Sequence, residues 1–158
     1  MYTNSYDCKP FYPKKGDFEI VKKDEHSGQG VISHRSFNKG DLVAVITGEI
    51  VHDIRQHTIQ IEPGVHLYDI HFSGYFLHSC SPNVSLDMEN LRVYARRKIK
   101  PNDYLLMDYA QTEDVLFRQF PCSCGSKNCR GWITGRKQAI DESDPLYQAL
   151  IQTRVAAG

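Results

Sequence analysis

Three cysteines fall within eight residues, at Cys122, Cys124 and Cys129. Thiolates are soft ligands, and zinc takes four donors tetrahedrally at about 2.3 Å from each sulfur. Residues 121–131 carry almost nothing apolar, so burial of hydrophobic surface cannot order them. A structural metal can, since it supplies on the order of 10–16 kcal/mol in small metal-folded units. Three local ligands need a fourth from elsewhere. Cys8 and Cys80 are the remaining cysteines, histidine is a substitute donor type, and three unrelated thiols form the plain alternative. A second stretch that can do chemistry is His78-Ser79-Cys80-Ser81-Pro82-Asn83, which follows the aromatic pair Tyr75-Phe76. A third is Asp108-Tyr109, at the end of a strand-like run. Taken alone, Tyr109 reads as a core tyrosine with a satisfied hydroxyl. The glycines of Gly28-Gln29-Gly30 allow close backbone approach to a ligand, although such a pair is more often only a turn.

The elements that must position these residues are short. Phe18, Ile20 and Lys22 alternate and predict a strand, broken by His26–Gly30 and resumed at Val31–Ser33. Asn38–Asp41 is a turn signal, and Leu42–Thr47 is apolar and β-branched, as a buried strand requires. Residues 52–66 are polar and His-rich and read as strand ends and a loop. Leu91–Arg97 alternates with period two, and Tyr104–Met107 gives another strand after the turn at 100–103. Many short strands predict a mostly β domain. Near the end, Asp144 suits an N-cap and Pro145 the first helical position, with Leu146, Ala149, Leu150 and Val155 on one face. Residues 1–15 read as an arm on the domain surface.

The chain has 158 residues, 41% hydrophobic, enough for one domain with a modest core. Nineteen basic residues balance nineteen acidic ones, which excludes a strongly basic nucleic-acid binder. The first residues lack the apolar stretch of a signal peptide, and the longest apolar run, Leu42–Ile46, is too short to span a membrane. An intracellular protein, in cytoplasm or nucleus, is expected. There, five cysteines favour metal binding or free thiols over a disulfide framework. His66, His71 and His78 match no common metal spacing, Cys8 reads as a free thiol, and Arg96-Arg97-Lys98 as a solvated strand edge.

Together these pieces resemble the SET-domain protein-lysine methyltransferase family with a post-SET zinc-binding tail. Gly28-Gln29-Gly30-Val31 is similar to its first glycine motif, and Asn38–Asp41 with Gly48-Glu49 to the segment that follows. His78–Asn83 is similar to its asparagine-His-Ser-Cys-x-Pro-Asn signature. Ile99–Tyr109 resembles its last motif, and Cys122-x-Cys124-x4-Cys129-Arg-Gly its post-SET spacing. The order and spacing of the set, over roughly residues 16 to 135, carry the resemblance. It implies a SET domain at 16–112 and a post-SET zinc segment at 113–136, between the arm at 1–15 and the C-terminal helix segment at 137–158 read from the residues themselves. It implies small sheets around a knot-like active site, and Cys80 as the fourth zinc ligand beside Cys122, Cys124 and Cys129.

The resemblance also implies a chemistry. S-adenosylmethionine would donate a methyl group to a lysine amine of a histone or other protein, with Tyr109 as catalytic residue. Gly28, Gln29, Gly30, Tyr75, Leu77, His78 and Tyr109 would face that cofactor, and Trp132 would cover its adenine. No direct nucleic-acid partner is expected. Four positions depart from the pattern: Leu77 replaces the asparagine, Gly74-Tyr75 an Arg-Phe pair, Ile46 a channel tyrosine and Met107 a Phe/Tyr. Leu77 and the altered channel motivate the alternative of a non-catalytic, partner-binding SET-like module.

Overall fold

The computed structural model describes residues 1, 2 and 9–157. Cys8, expected as a free thiol, lies outside them. In chain order the elements are β1 (Phe18–Asp24), β2 (Gly28–Ser33), β3 (Leu42–Val45), β4 (Glu49–Val51), β5 (Thr58–Glu62), β6 (Val65–Tyr68), β7 (Leu77–His78), β8 (Val84–Asp87), β9 (Arg92–Ala95), β10 (Leu106–Met107), β11 (Phe120–Pro121), β12 (Trp132–Ile133) and α1 (Pro145–Ala157). Among the described residues they form five small sheets: β1-β2, β3-β9-β8, β4-β6-β5, β7-β10 and β11-β12. All pairings are antiparallel except β7 with β10, which runs parallel. The mostly β reading with a terminal helix therefore stands.

No single sheet is large enough to hold the domain, so side chains from several sheets share one core. Phe18 stacks on Phe37 at 6.2 Å, and Phe72 meets Phe18 and Phe76 at 5.0 and 5.1 Å. Such ring pairs contribute about 0.5–1.5 kcal/mol each beyond their burial. Ile46, Val93, Ile99 and Leu105 fill the remaining space.

Four local expectations change. Residues 52–66 are not merely strand ends: β5 and β6 form a hairpin turned at Pro63-Gly64. Its polarity hid it, because Gln60 and His66 are buried within it. The break at His26–Gly30 is shorter than its glycines suggest, since β2 starts at Gly28 and pairs through Gly30. The arm is not wholly superficial. Tyr2 is buried, and its hydroxyl donates to Asp69 Oδ2 (2.8 Å) and accepts from the Thr47 N–H (2.9 Å). On α1, Asp144 caps the Leu146 N–H at 2.8 Å as expected, but Leu146 and Val155 point to solvent. Tyr147 makes the helix's aromatic contact, edge-on to Trp132 at 5.2 Å.

The segment after β7 is held against β10 by one side chain. Asn83 Nδ2 donates to the Tyr104 carbonyl (2.8 Å), and its Oδ1 accepts from the Leu106 N–H (2.8 Å). Its own N–H donates to the Leu106 carbonyl at 3.0 Å, and its carbonyl accepts from Arg96 at 2.8 Å. Arg97, expected as a solvated edge, adds an Nη2 bond to the Ser81 carbonyl (2.9 Å). Asp69 does similar work upstream. Its buried carboxylate accepts from the backbone of His71, Phe72 and Ser73 and from the Ser73 hydroxyl, fixing the turn Ser73–Tyr75 that leads into β7. Asn83→Ala is expected to cost about 2–3 kcal/mol in urea unfolding, because it strands a buried N–H and C=O. A loss under about 0.5 kcal/mol would contradict the clamp.

Candidate functional site

A cleft of about 440 Å³ opens between β2, the turn leading into β7, β10 and the start of the cysteine-bearing tail. Its volume lies in the range of small-molecule sites. Gly28, Gln29, Tyr75, Leu77 and Tyr109, all singled out from sequence, line it together with Met107. Gly30, His78 and Trp132 do not.

Gly30 acts one layer back. A Cβ there would come within 2.6 Å of Leu77 Cδ1 and 3.0 Å of the Tyr104 ring. Leu77 thus packs onto bare backbone, and an apolar side chain stands where the family pattern carries an amide. Gly74 is equally constrained, since a Cβ would overlap the Asp69 carbonyl and crowd His57. The place of the pattern's arginine is closed here. His57 takes the neighbouring space, with Nδ1 at 2.9 Å from the Gly74 carbonyl and its ring 4.4 Å from that of Tyr75.

Tyr109 follows β10. Its hydroxyl donates to the Phe76 carbonyl at 2.6 Å. Burial pushes the phenol above its ordinary pKa, and the charge of Glu113 adds to that, so it keeps its proton. Its backbone N–H donates to His78 Nδ1 at 3.2 Å. A ring that accepts at Nδ1 carries its hydrogen at Nε2, and that atom lies 3.5 Å from Cys80 Sγ. Desolvation brings His78 down to about 4, so it is neutral at pH 7. The rings of His78, Tyr109 and Phe120 meet edge-on at 5.2, 5.6 and 5.9 Å, which ties β11 to the cleft.

On the other side of this loop the sulfurs of Cys80, Cys122, Cys124 and Cys129 lie within 4.8 Å of one another. Cys80 and Cys122 are 4.0 Å apart, and none of the four is in a disulfide. A tetrahedron with arms of about 2.3 Å has edges of about 3.8 Å, so the spacing fits a zinc-sized ion. The electrostatics ask for a cation too. Burial and neighbouring thiols push Cys122 up, and burial raises Cys80. At Cys124 burial also acts upward, but hydrogen bonds from the Ser126 hydroxyl and N–H outweigh it and bring the thiol to about 5. Thiols this close do not all ionise without positive charge among them. No other such group of His, Cys, Asp or Glu occurs among the described residues.

The tail reaches the loop by further bonds that sequence reasoning missed. The Arg130 N–H donates to Cys80 Sγ (3.4 Å), and Asn128 Nδ2 to the Cys80 carbonyl (3.0 Å). The Arg130 guanidinium grips Asp108 with two bonds, 2.9 and 2.6 Å. Burial works against the Asp108 charge, but Arg130 and the Ala110 N–H outweigh it and hold the carboxyl below its ordinary range. The adjacency of Arg130 to Cys129, and of Asp108 to Tyr109, was the available signal. Trp132 was expected over the cleft. It is instead buried against Tyr147, with Nε1 donating to Gln119 Oε1 at 2.9 Å. Leu116 and Phe120 of the tail line the cleft in its place.

The SET domain model matches residues 28–110. The chain belongs to the SET-domain family. Among curated relatives, the methyltransferase flvH of Aspergillus flavus is 35% identical over 99 residues, 61% of this chain and 56% of that protein. The histone-lysine N-methyltransferase ASHR3 of Arabidopsis thaliana is 30% identical over 160 residues, 82% of this chain and 30% of its own length. The chain thus spans about half or less of these two relatives. Among solved structures, KRYPTONITE with mCHH DNA, H3(1-15) peptide and SAH superposes with a TM-score of 0.58 at 25% identity. That match covers 73% of this chain and 29% of KRYPTONITE.

Arg130→Met should loosen the tail from the SET core. With Arg130 half exposed and Asp108 buried, the expected loss is about 2 kcal/mol by thermal or urea unfolding. Unchanged stability would show that the cysteines hold the tail alone.

Proposed function

We propose that the protein is an S-adenosylmethionine-dependent protein-lysine N-methyltransferase, acting on a histone or another protein. The observation that carries this reading is the meeting of Gly28, Leu77 and the protonated Tyr109 phenol in one cleft, closed by a cysteine-held tail. The family membership, the methyltransferase relatives and the SAH and H3 peptide of the KRYPTONITE complex support it. When bound, S-adenosylmethionine supplies an electrophilic methyl group on a sulfonium.

The residues of this chain do the rest by alignment and desolvation. A lysine amine has a pKa near 10.4, so presenting it neutral at pH 7 costs about 4–5 kcal/mol. Apolar walls of Leu77, Phe76 and Met107 favour the neutral amine. Tyr109 orients the reacting centre, its hydroxyl and the Phe76 carbonyl offering oxygens to a polarised methyl through weak C–H···O contacts. Backbone of Gly28 and Gln29, with Tyr75 and Leu77, forms the cofactor wall, and Gly30 makes room for Leu77 behind it. His78 positions Tyr109 rather than touching the ligand. Cys80, Cys122, Cys124 and Cys129 hold one structural zinc, and Phe120 and Leu116 serve where Trp132 was expected. With Met107, which offers no phenol, in place of a Phe or Tyr, the channel admits a methylated lysine and supports more than one transfer.

The packing of Leu77 onto Gly30 favours a second reading, a SET-like module that binds a partner without catalysis. Labelled S-adenosylmethionine with mixed core histones separates the two. The enzyme reading expects label transfer, di- or trimethyl product by mass spectrometry after long incubation, and a loss of at least about 100-fold in Tyr109→Phe. Absence of both transfer and cofactor binding supports the module, and product that stops at monomethyl contradicts the role given to Met107.

A further inference from the structure

Glu113 is the only acidic side chain among the described residues that line the cleft. It lies one turn beyond Tyr109, its N–H donating to the Tyr109 carbonyl at 2.9 Å. It is 7% exposed, and both carboxylate oxygens take the same donor, the Gln60 N–H on β5, at 3.2 and 2.9 Å. Asp114 beside it is differently placed. That carboxylate is already bound by Gln60 Nε2 (2.8 Å) and Arg136 Nε (2.6 Å), with Lys137 Nζ at 3.8 Å. A carboxylate has about four acceptor sites, so with the Gln60 N–H and the Thr112 hydroxyl Glu113 retains capacity for a further donor. Of the cleft's cations, Arg55 is already engaged by Asp53, and Arg118 stands at the exposed rim.

A buried carboxylate outside any direct ion pair is costly as an anion unless its site receives a cation. The proposed substrate brings one, an ammonium that must be deprotonated before it attacks. We propose, resting on the methyl-transfer reading, that Glu113 receives the ammonium of the substrate lysine and takes its proton. The N–H bond breaks with its electron pair left on nitrogen, and the proton forms an O–H bond on Glu113. The freed pair forms the new carbon–nitrogen bond, while the pair of the carbon–sulfur bond leaves with sulfur. Glu113 then releases its proton to water.

The surroundings suit a proton acceptor. Burial raises the Glu113 carboxyl above its ordinary range, against the lowering effects of the Gln60 N–H, the Thr112 hydroxyl and Arg136. Other charged or titratable groups nearby are Tyr109 and Asp114 on its own segment and Arg136 from the tail; the neighbouring residue of β5 is the uncharged Gln60. A carboxyl tuned upward is better matched to neutral operation than an exposed one.

Glu113→Gln tests this directly, because its amide oxygen still accepts from Gln60 and its size is unchanged. With the full chain, mixed core histones and labelled S-adenosylmethionine, kcat/KM at neutral pH should fall about 100-fold. The deficit should shrink as pH rises, since solvent then deprotonates the amine unaided. A peptide carrying the less basic thialysine in place of lysine should narrow it too. Cofactor affinity and the melting midpoint should match those of the unmodified chain. A deficit constant across pH, or weakened cofactor binding, overturns the assignment while leaving methyl transfer intact. An unmodified chain that transfers no label overturns the methyl-transfer reading and this one with it.

Discussion

The Cys80 sulfur is shared between parts of the chain that lie over forty residues apart. It belongs to the cluster with Cys122, Cys124 and Cys129, accepts from the Arg130 backbone and lies next to His78 Nε2. The tail from residue 120 is built of two-residue strands and turns and has little hydrophobic surface to bury. Without the sulfur cluster it would have to be ordered by Arg130, Asn128 and a few apolar contacts. With it, Phe120 is brought against Tyr109 and His78, and the cleft gains a wall. The cysteine cluster and the cleft are therefore one construction, joined through a single loop.

That loop is rigid for reasons independent of sulfur. Asn83 spends its backbone and side chain on Arg96, Tyr104 and Leu106 of β10, while Asp69 spends its carboxylate on the turn that enters β7. Between them, His78 faces Tyr109 and Cys80 faces the cysteine-bearing tail. His78 is the hinge of this arrangement in the chemical sense. Its Nδ1 fixes the Tyr109 backbone, its Nε2 approaches sulfur, and its burial keeps it uncharged. A charged imidazole there would face the Arg130 guanidinium across Asp108.

Much of this was legible in the chain. Period-two alternation at Phe18–Lys22 and Leu91–Arg97 placed β1 and β9, and the cysteine spacing placed the cluster. Gly28, Tyr75, Leu77 and Tyr109 came together as motif order implied. What stayed hidden depends on tertiary hydrogen bonding. The β5–β6 hairpin looked like loop because Gln60, which exchanges side-chain bonds with Asp114, is polar yet buried. Trp132 follows the last cysteine, but the amide of Gln119 and the ring of Tyr147 draw it away from the cleft. Glu113 carries no motif, and only the fold sets its carboxylate against β5 beside Tyr109.

If the sulfur cluster takes up zinc as proposed, it builds one wall of the cleft proposed for S-adenosylmethionine. Calorimetric titration of S-adenosylmethionine into zinc-loaded and chelator-stripped protein, with zinc content measured in both, tests it most directly. One zinc per chain is expected in the loaded form, with at least tenfold weaker cofactor binding after stripping, restored by added zinc. Equal affinity in the two forms would contradict it.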